Sequence, residues 1–400
     1  MNKRLKNGMK IRICEMKNSD SITFILKLNS GSATEPKNKR GLTHLVEHMC
    51  FRGHCGKTQE EFYYAIEKIG AHLRGATYRD CILFEITVLR QYISDAVDII
   101  RGLFEDNEWT YEDIRREKNV VLCQMQGASD WCFRQLIYDF FCKSSAGECS
   151  LGTANKVLRC TKRDLTTAKK ELFTASGAEL IVVGNVTEAE AARIESVFSD
   201  VPDSKDKKMI DITPKRFLNR DSRDFHYYND DSEESVLAVA FDIEKCGQMR
   251  TSVEILRSAL CGGLFSPFML KLREELGLLD EITSGCDFYD FGGIMYLIFQ
   301  TDKENAGVLE TAVNELFLKH PNIIDMRTFE CAKAAFTDRV LALESTSRDF
   351  ANILAFNESI SSIDEYISQY SAITLEEVHS VAQEIIKRQN ATAYFYNYLR

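Results

Sequence analysis

His44, Glu47 and His48 stand together in the stretch GLTHLVEHMCFRG, residues 41–53. On a helix, residues four apart lie on one face, one turn above the other. Two imidazoles so placed can reach a single ion at about 2.0–2.1 Å. Glu47, three residues after His44, then lies beside the ion rather than bonded to it. From there a carboxylate can take a proton from a metal-bound water whose pKa has fallen to about 7. This H-x-x-E-H order is a signature of zinc-dependent peptide hydrolysis. The plainer reading is a helix face with two solvated histidines. Leu45, Val46, Met49 and Phe51 weigh against it, because an apolar segment predicts that its polar residues are partly buried and need partners.

The elements that position such a site belong to a chain of 400 residues, long for one core and suited to two or more domains. With 28% charged and 44% hydrophobic residues, the composition is that of a folded globular protein. A net charge of −10 leaves no basic excess for a nucleic acid or an anionic membrane. No stretch approaches the roughly 20 apolar residues of a bilayer span, and the start, MNKRLKNGMKIRIC, lacks the apolar run of a secretory signal. The 13 cysteines include no C-x-x-C pair. Cys123, Cys261 and most of the others sit in apolar segments and read as small buried hydrophobes, which places the chain in a reducing cytoplasm.

The sequence repeats its rhythm. EKIGAHLRGATYRDCILFEITVL begins at Glu67, and EELGLLDEITSGCDFYDFGGIMYLIFQ at Glu274. Each closes a helix at a glycine, passes a polar turn and enters an apolar strand after an aspartate, Asp80 or Asp290. Each strand is followed by a helix. Upstream, SITFILKL and SVLAVAF are strands that precede a helix in their own halves. A duplicated α+β domain is the economical reading. It gives an N-terminal domain over 1–205, a polar linker over 206–220 and a C-terminal domain over 221–400. The second half reads TSVEILRSALCGG where the first has its histidines, so metal chemistry belongs to the first domain.

On these segments the chain resembles the pitrilysin-type (M16) zinc metallopeptidases, in particular short two-domain forms such as the subunits of the mitochondrial processing peptidase. The likeness runs through RGLTHLVEHMCFRG, EKIGAHLRGATYRD, RREKNVVLCQMQ, LGTANKVLRCTKRDL, ELIVVGNV and CGGLFSPFMLKLREELGL. It implies two homologous α/β-sandwich domains, antiparallel-rich sheets with helices on one face, that form half of a clamshell. It also implies Zn2+ held by His44 and His48, Glu47 as the catalytic base, and Glu117 as a second glutamate that orients the site.

The third ligand in that family is a glutamate about 75 residues after the second histidine. Seven residues make nearly two helical turns, so position 124 shares a face with Glu117, and position 124 is glutamine. An amide oxygen is a weaker zinc ligand than a carboxylate and removes one negative charge. Several readings are open. Gln124 coordinates weakly in a working site; or the chain is an impaired accessory subunit; or a glutamate has been replaced to keep substrate uncut; or Glu117, Cys123 or Cys50 serves instead.

Two further departures follow from the resemblance. The family's N-A-x-T turn reads RGAT, which puts Arg74 at a position that holds the substrate backbone. An Arg–Tyr pair seven residues apart grips the peptide in the family; here Arg273 is followed at that spacing by Asp280, and a surface ion pair with Glu274 or Glu275 is the competing role for Arg273. The resemblance therefore implies a heterodimer with a related subunit that supplies the Arg–Tyr pair. The implied substrate is an extended peptide, added as a strand to a sheet edge, for which CILFEITV is the expected docking strand. Trimming a leader peptide and degrading short peptides are both open as its task.

Overall fold

Ile22, Phe24, Leu26 and Leu28 alternate along SITFILKL, yet Ile25 between them is equally inaccessible. A strand buried on both sides must have both faces covered, and that condition organises each half of the molecule. A computed structural model describes residues 1–53, 56–127, 131–141, 144–203, 223–228, 234–243, 246–319, 322–343, 346–386 and 389–396. The expected linker, 206–220, lies outside the described residues.

The first sheet contains β1 (Asn2–Arg4), β2 (Lys10–Glu15), β3 (Ser21–Leu28), β4 (Leu73–Thr77), β5 (Ile82–Leu89) and β6 (Ala178–Gly184), in the order β1-β2-β6-β3-β5-β4. The second contains β7 (Arg223–Tyr228), β8 (Glu234–Ile243), β9 (Ile282–Tyr289), β10 (Gly292–Asp302) and β11 (Gln389–Tyr396), in the order β7-β11-β8-β10-β9. Strand by strand the orders coincide once β1 is set aside. The parallel pair also falls in the same place, β2 with β6 and β7 with β11, while every other pairing is antiparallel.

The repeat extends to hydrogen bonds that no composition statistic reveals. Lys118 Nζ donates to the carbonyls of Leu158 and Cys160 at a helix C-terminus, and Lys333 Nζ donates to those of Ser371 and Ile373 in the second half. Gly70 and Gly277, the glycines that close the repeated E-x-[I/L]-G pattern, both adopt left-handed φ, +67° and +61°, where a side chain is disfavoured.

Two compact units result, each interleaved along the chain. One comprises Met1–Ala128, Glu148–Ile212 and Ala342–Ile363; the other Ser129–Gly147, Thr213–Leu341 and Asp364–Arg400. In the first unit one sheet face meets the main apolar core, built from Ile22, Phe24, Phe84, Ile86, Leu180 and Val182 with the helices beside them. Its other face carries the helix Ser347–Phe356, fastened by Ser347 Oγ to Thr23 Oγ1 at 2.9 Å and by Arg348 and Asn352 to Glu85. The second unit reciprocates with the helix Trp131–Phe140, whose Leu136, Ile137 and Phe140 pack on Ala238, Ala240 and Ile294. Each sheet is therefore completed by a helix from the opposite half of the sequence.

Candidate active site

The H-x-x-E-H residues lie on the helix Leu42–Met49, in the first unit. Leu45, Val46 and Met49 point into the core and fix the rotation of the helix. Its start is set by two devices. Gly41 takes φ +92°, with no room for a Cβ against the Leu151 carbonyl. Glu35 accepts hydrogen bonds from the backbone N–H of Gly41 at 2.8 Å and of Thr43 at 2.5 Å, so a carboxylate from outside the helix satisfies its first donors. Burial pushes the Glu35 carboxyl up to about 6, against the pull of those N–H groups and of Arg40.

The two histidines form an edge-to-face pair, ring centroids 4.6 Å apart. One donor atom from each of His44, Glu47 and His48 falls within 4.8 Å of the others. Glu47 is buried. Its Oε2 accepts from Thr77 Oγ1 at 3.1 Å and lies 3.2 Å from His44 Nδ1. Its other oxygen presses on Gly75 of β4, where a Cβ would stand 2.2 Å from Glu47 Oε1. Gly75 is thus the only residue type whose shape leaves this carboxylate in place.

The helix Tyr111–Gly127 supplies the rest, as the seven-residue spacing anticipates. Glu117 Oε2 accepts from His48 Nδ1 at 2.9 Å, and Gln124 Oε1 accepts from His44 Nε2 at 3.0 Å. Burial raises the His44 pKa's cost of charging, but the Glu47 carboxylate and the Gln124 carbonyl outweigh it, and the net shift is upward. Burial likewise works against ionised Glu117, and donors from His48 and Arg52 reverse it, so its pKa is lowered.

These residues suit a divalent ion. His48 points Nδ1 at a carboxylate, which leaves Nε2 as the bare nitrogen that ligation needs. Gln124 directs a carbonyl oxygen, not a hydrocarbon, at His44. The set is two imidazoles and a neutral amide oxygen, three protein donors as a catalytic zinc takes and weaker than a set with a carboxylate. The other sequence candidates fare differently. Glu117 is engaged by His48 and Arg52. Cys50 lies beneath the helix with its thiol pushed up to about 12 by burial, which disfavours the thiolate. Cys123, expected to be buried, is exposed on the helix beside Gln124, while Cys261 is buried as expected.

The profile described as Insulinase (Peptidase family M16) matches residues 12–150, and that described as Peptidase M16 inactive domain matches residues 159–336. The chain belongs to peptidase family M16. The histidines and Glu117 and Gln124 all fall within the first match. An uncharacterized zinc protease of Bacillus subtilis (strain 168) is 22% identical over 97% of this chain and 96% of its own. The beta subunit of the mitochondrial-processing peptidase of Blastocladiella emersonii is 24% identical over 96% of this chain and 85% of its own. In fold, the chain is similar to a protease from Helicobacter pylori, with a TM-score of 0.85 at 16% identity over 99% of this chain and 98% of that one.

The remaining M16 expectations divide. Arg74 lies exposed on β4, next to Gly75 and opposite Glu85 in register. CILFEITV is not an edge: β5 is paired on one side with β3 and on the other with β4. The outer strand of the sheet at this end is β4, so the expectation that β5 docks a peptide is corrected. CILFEITV follows the RGAT turn directly, but RGAT itself forms the outermost strand, and β5 lies inside it. Arg273 lies in the other unit, where it pairs with Glu274 at 2.6 Å and with Asp280 at 3.3 Å. Sequence reasoning missed Glu35, Arg52, Gly75 and Thr77. The glycine two residues ahead of Thr77 in RGAT was the available signal for the last two.

Proposed function

We propose that this M16 chain is a zinc-dependent endopeptidase subunit that cleaves extended peptides. The observation that carries the reading is the meeting of His44, Glu47 and His48 with Glu117 and Gln124 from a second helix. Bound zinc supplies Lewis acidity and lowers the pKa of water to about 7. His44 and His48 would hold it, with the Gln124 oxygen as the third protein donor. Glu47, steadied by Thr77 and backed by Gly75, takes the proton of the attacking water and returns it to the leaving amine. Glu117 keeps His48 in the Nδ1–H tautomer. The peptide adds along the open edge of β4, where Gly75 separates its backbone from Glu47 by no side chain at all. Arg74 projects from that same strand as a substrate contact.

The reading includes a heterodimer with a related M16 subunit that supplies an Arg–Tyr pair, since Arg273 of this chain is engaged by Asp280 at the tyrosine's position. Ten described cysteines are free thiols, which supports a cytoplasmic setting. Among the described residues no helix is long and apolar enough to cross a membrane.

One observation favours a second reading, an impaired accessory subunit: the donor at position 124 is uncharged. Zinc content and cleavage of a quenched peptide library, measured for the chain alone and co-expressed with a related subunit, separate the two. One equivalent of zinc and turnover, both lost in His48→Ala, support the peptidase; a zinc-free chain without turnover in either preparation supports the accessory role.

A further inference from the structure

Beyond the residues that face the site, a line of hydrogen bonds runs outward from His48. Its Nδ1 donates to Glu117 Oε2, Arg52 Nε donates to Glu117 Oε1, Arg52 Nη1 donates to Gln59 Oε1 at 2.6 Å, and Gln59 Nε2 donates to Tyr63 OH at 2.8 Å. Arg52 follows the motif helix, whereas Gln59 and Tyr63 lie on the helix Gln59–Glu67, which begins with a complete capping box at Thr58. Both side chains of the Arg52–Glu117 pair are largely shielded, 14% and 8% exposed. We propose that Arg52, braced by Gln59, is a positioning residue that fixes the Glu117 carboxylate and through it the tautomer and aim of His48.

The physical case rests on what Glu117 could do otherwise. A glutamate bound only by one imidazole keeps rotational freedom, and a carboxylate free to swing no longer dictates which ring nitrogen carries the proton. Arg52 occupies the second oxygen with a charge-assisted bond, so both oxygens are committed at once. Gln59 in turn restrains the guanidinium on a capped helix rather than leaving it on a surface loop. The arrangement has particular weight here because Gln124 is a neutral donor, which leaves the two imidazoles as the principal source of metal affinity. The inference rests on the zinc reading for its consequence, but the tautomer itself is measurable without metal.

The test is therefore made first on the metal-free protein, with 15N-labelled histidine, at the alkaline end of the titration that the His48 signals themselves show. Wild type and Arg52→Lys should show His48 with the proton on Nδ1; Arg52→Leu should show a mixture of both tautomers. Identical His48 signals in wild type and Arg52→Leu would overturn the proposal. Should Arg52→Leu not fold, Gln59→Leu decides in its place: a shift in the same direction is expected, and none counts against the idea. Zinc affinity by chelator competition is the second readout. Arg52→Leu should lose about 10–100-fold, with the Arg52→Leu/Glu117→Gln double variant no weaker than Glu117→Gln alone. Additive losses would show that Arg52 acts independently of Glu117 and sink the proposal. A wild type that binds no zinc would refute the peptidase reading instead and leave the tautomer result to stand by itself.

Discussion

Gln124 Oε1 lies 3.0 Å from His44 Nε2, from which it accepts a hydrogen bond. The residue at the third donor position of the site is therefore already aimed at it, and what it lacks is charge. Replacing an amide oxygen by a carboxylate oxygen on the same stem keeps the reach and adds one negative charge beside two imidazoles. Gln124→Glu should raise zinc affinity at least about tenfold, given the preference of zinc for anionic oxygen over amide oxygen. Chelator competition at fixed pH checks this. Equal affinity in both proteins would mean that position 124 does not touch the ion.

Gly75→Ala is expected to disable the site without unfolding the protein. The added methyl would lie 2.2 Å from Glu47 Oε1 and 2.9 Å from its Cγ, so the carboxylate must leave its bond with Thr77. On the proposed reading, in which the histidines hold zinc and Glu47 is the base, zinc binding should remain within about threefold of wild type while kcat falls by about 10²–10⁴. A variant with full turnover would show that Glu47 needs no such cradle.

Much of this was legible in the sequence because it depends on periodicity. The four-residue spacing of His44 and His48 and the seven-residue spacing of Glu117 and Gln124 each define a helix face, and the structure brings those faces together. The duplication was legible for the same reason, through strands and turns that recur a little over 200 residues apart. What could not be read were contacts between distant segments. Nothing in SATEPKNKRG marks Glu35 as the cap of the next helix, and nothing near Arg52 points to Glu117 65 residues away. The exchange of the helices Trp131–Phe140 and Ser347–Phe356 between the halves of the sequence was equally hidden, since an amphipathic helix does not declare which sheet it covers. The strand CILFEITV directly follows RGAT, and nothing in the sequence shows that RGAT itself is the outermost strand and covers it.

Glu35 makes stability depend on pH in a direction unusual for a carboxylate. Its pKa rises from the ordinary 4.5 to about 6 on folding, mainly by burial. Below about 4.5 the group is protonated in both folded and unfolded chains and has no effect; above about 6 it is ionised in both, and the folded state bears the cost of burial. Its contribution to stability therefore falls as pH rises through that window, by about 2 kcal/mol. Urea unfolding of wild type and Glu35→Gln at several pH values checks this: the difference between them should change by that amount between about pH 4.5 and 7, in the wild type's disfavour. A pH-independent difference would place the Glu35 titration outside this range.

Arg12 joins the first sheet to the helix that the far end of the chain contributes. Its Nε donates to Glu179 Oε1 at 2.6 Å, and its two terminal nitrogens donate to the carbonyls of Asn357 and Leu354, at and just past the C-terminus of Ser347–Phe356. The pair is almost fully buried, 7% and 1% exposed. Arg12→Ala would strand the Glu179 carboxylate in a dry site and orphan two helix-end carbonyls, so a loss of about 3–5 kcal/mol is expected. Replacing both partners by apolar residues of similar volume should recover much of that loss, because no unpaired charge then remains. Hydrogen exchange locates the damage: amides of 347–356 should exchange faster in Arg12→Ala, while those of the helix Leu42–Met49, held by Glu35 and the apolar core, should change far less. Uniform acceleration across both helices would mean that the unit opens as one cooperative block and that Arg12 is not a local fastening.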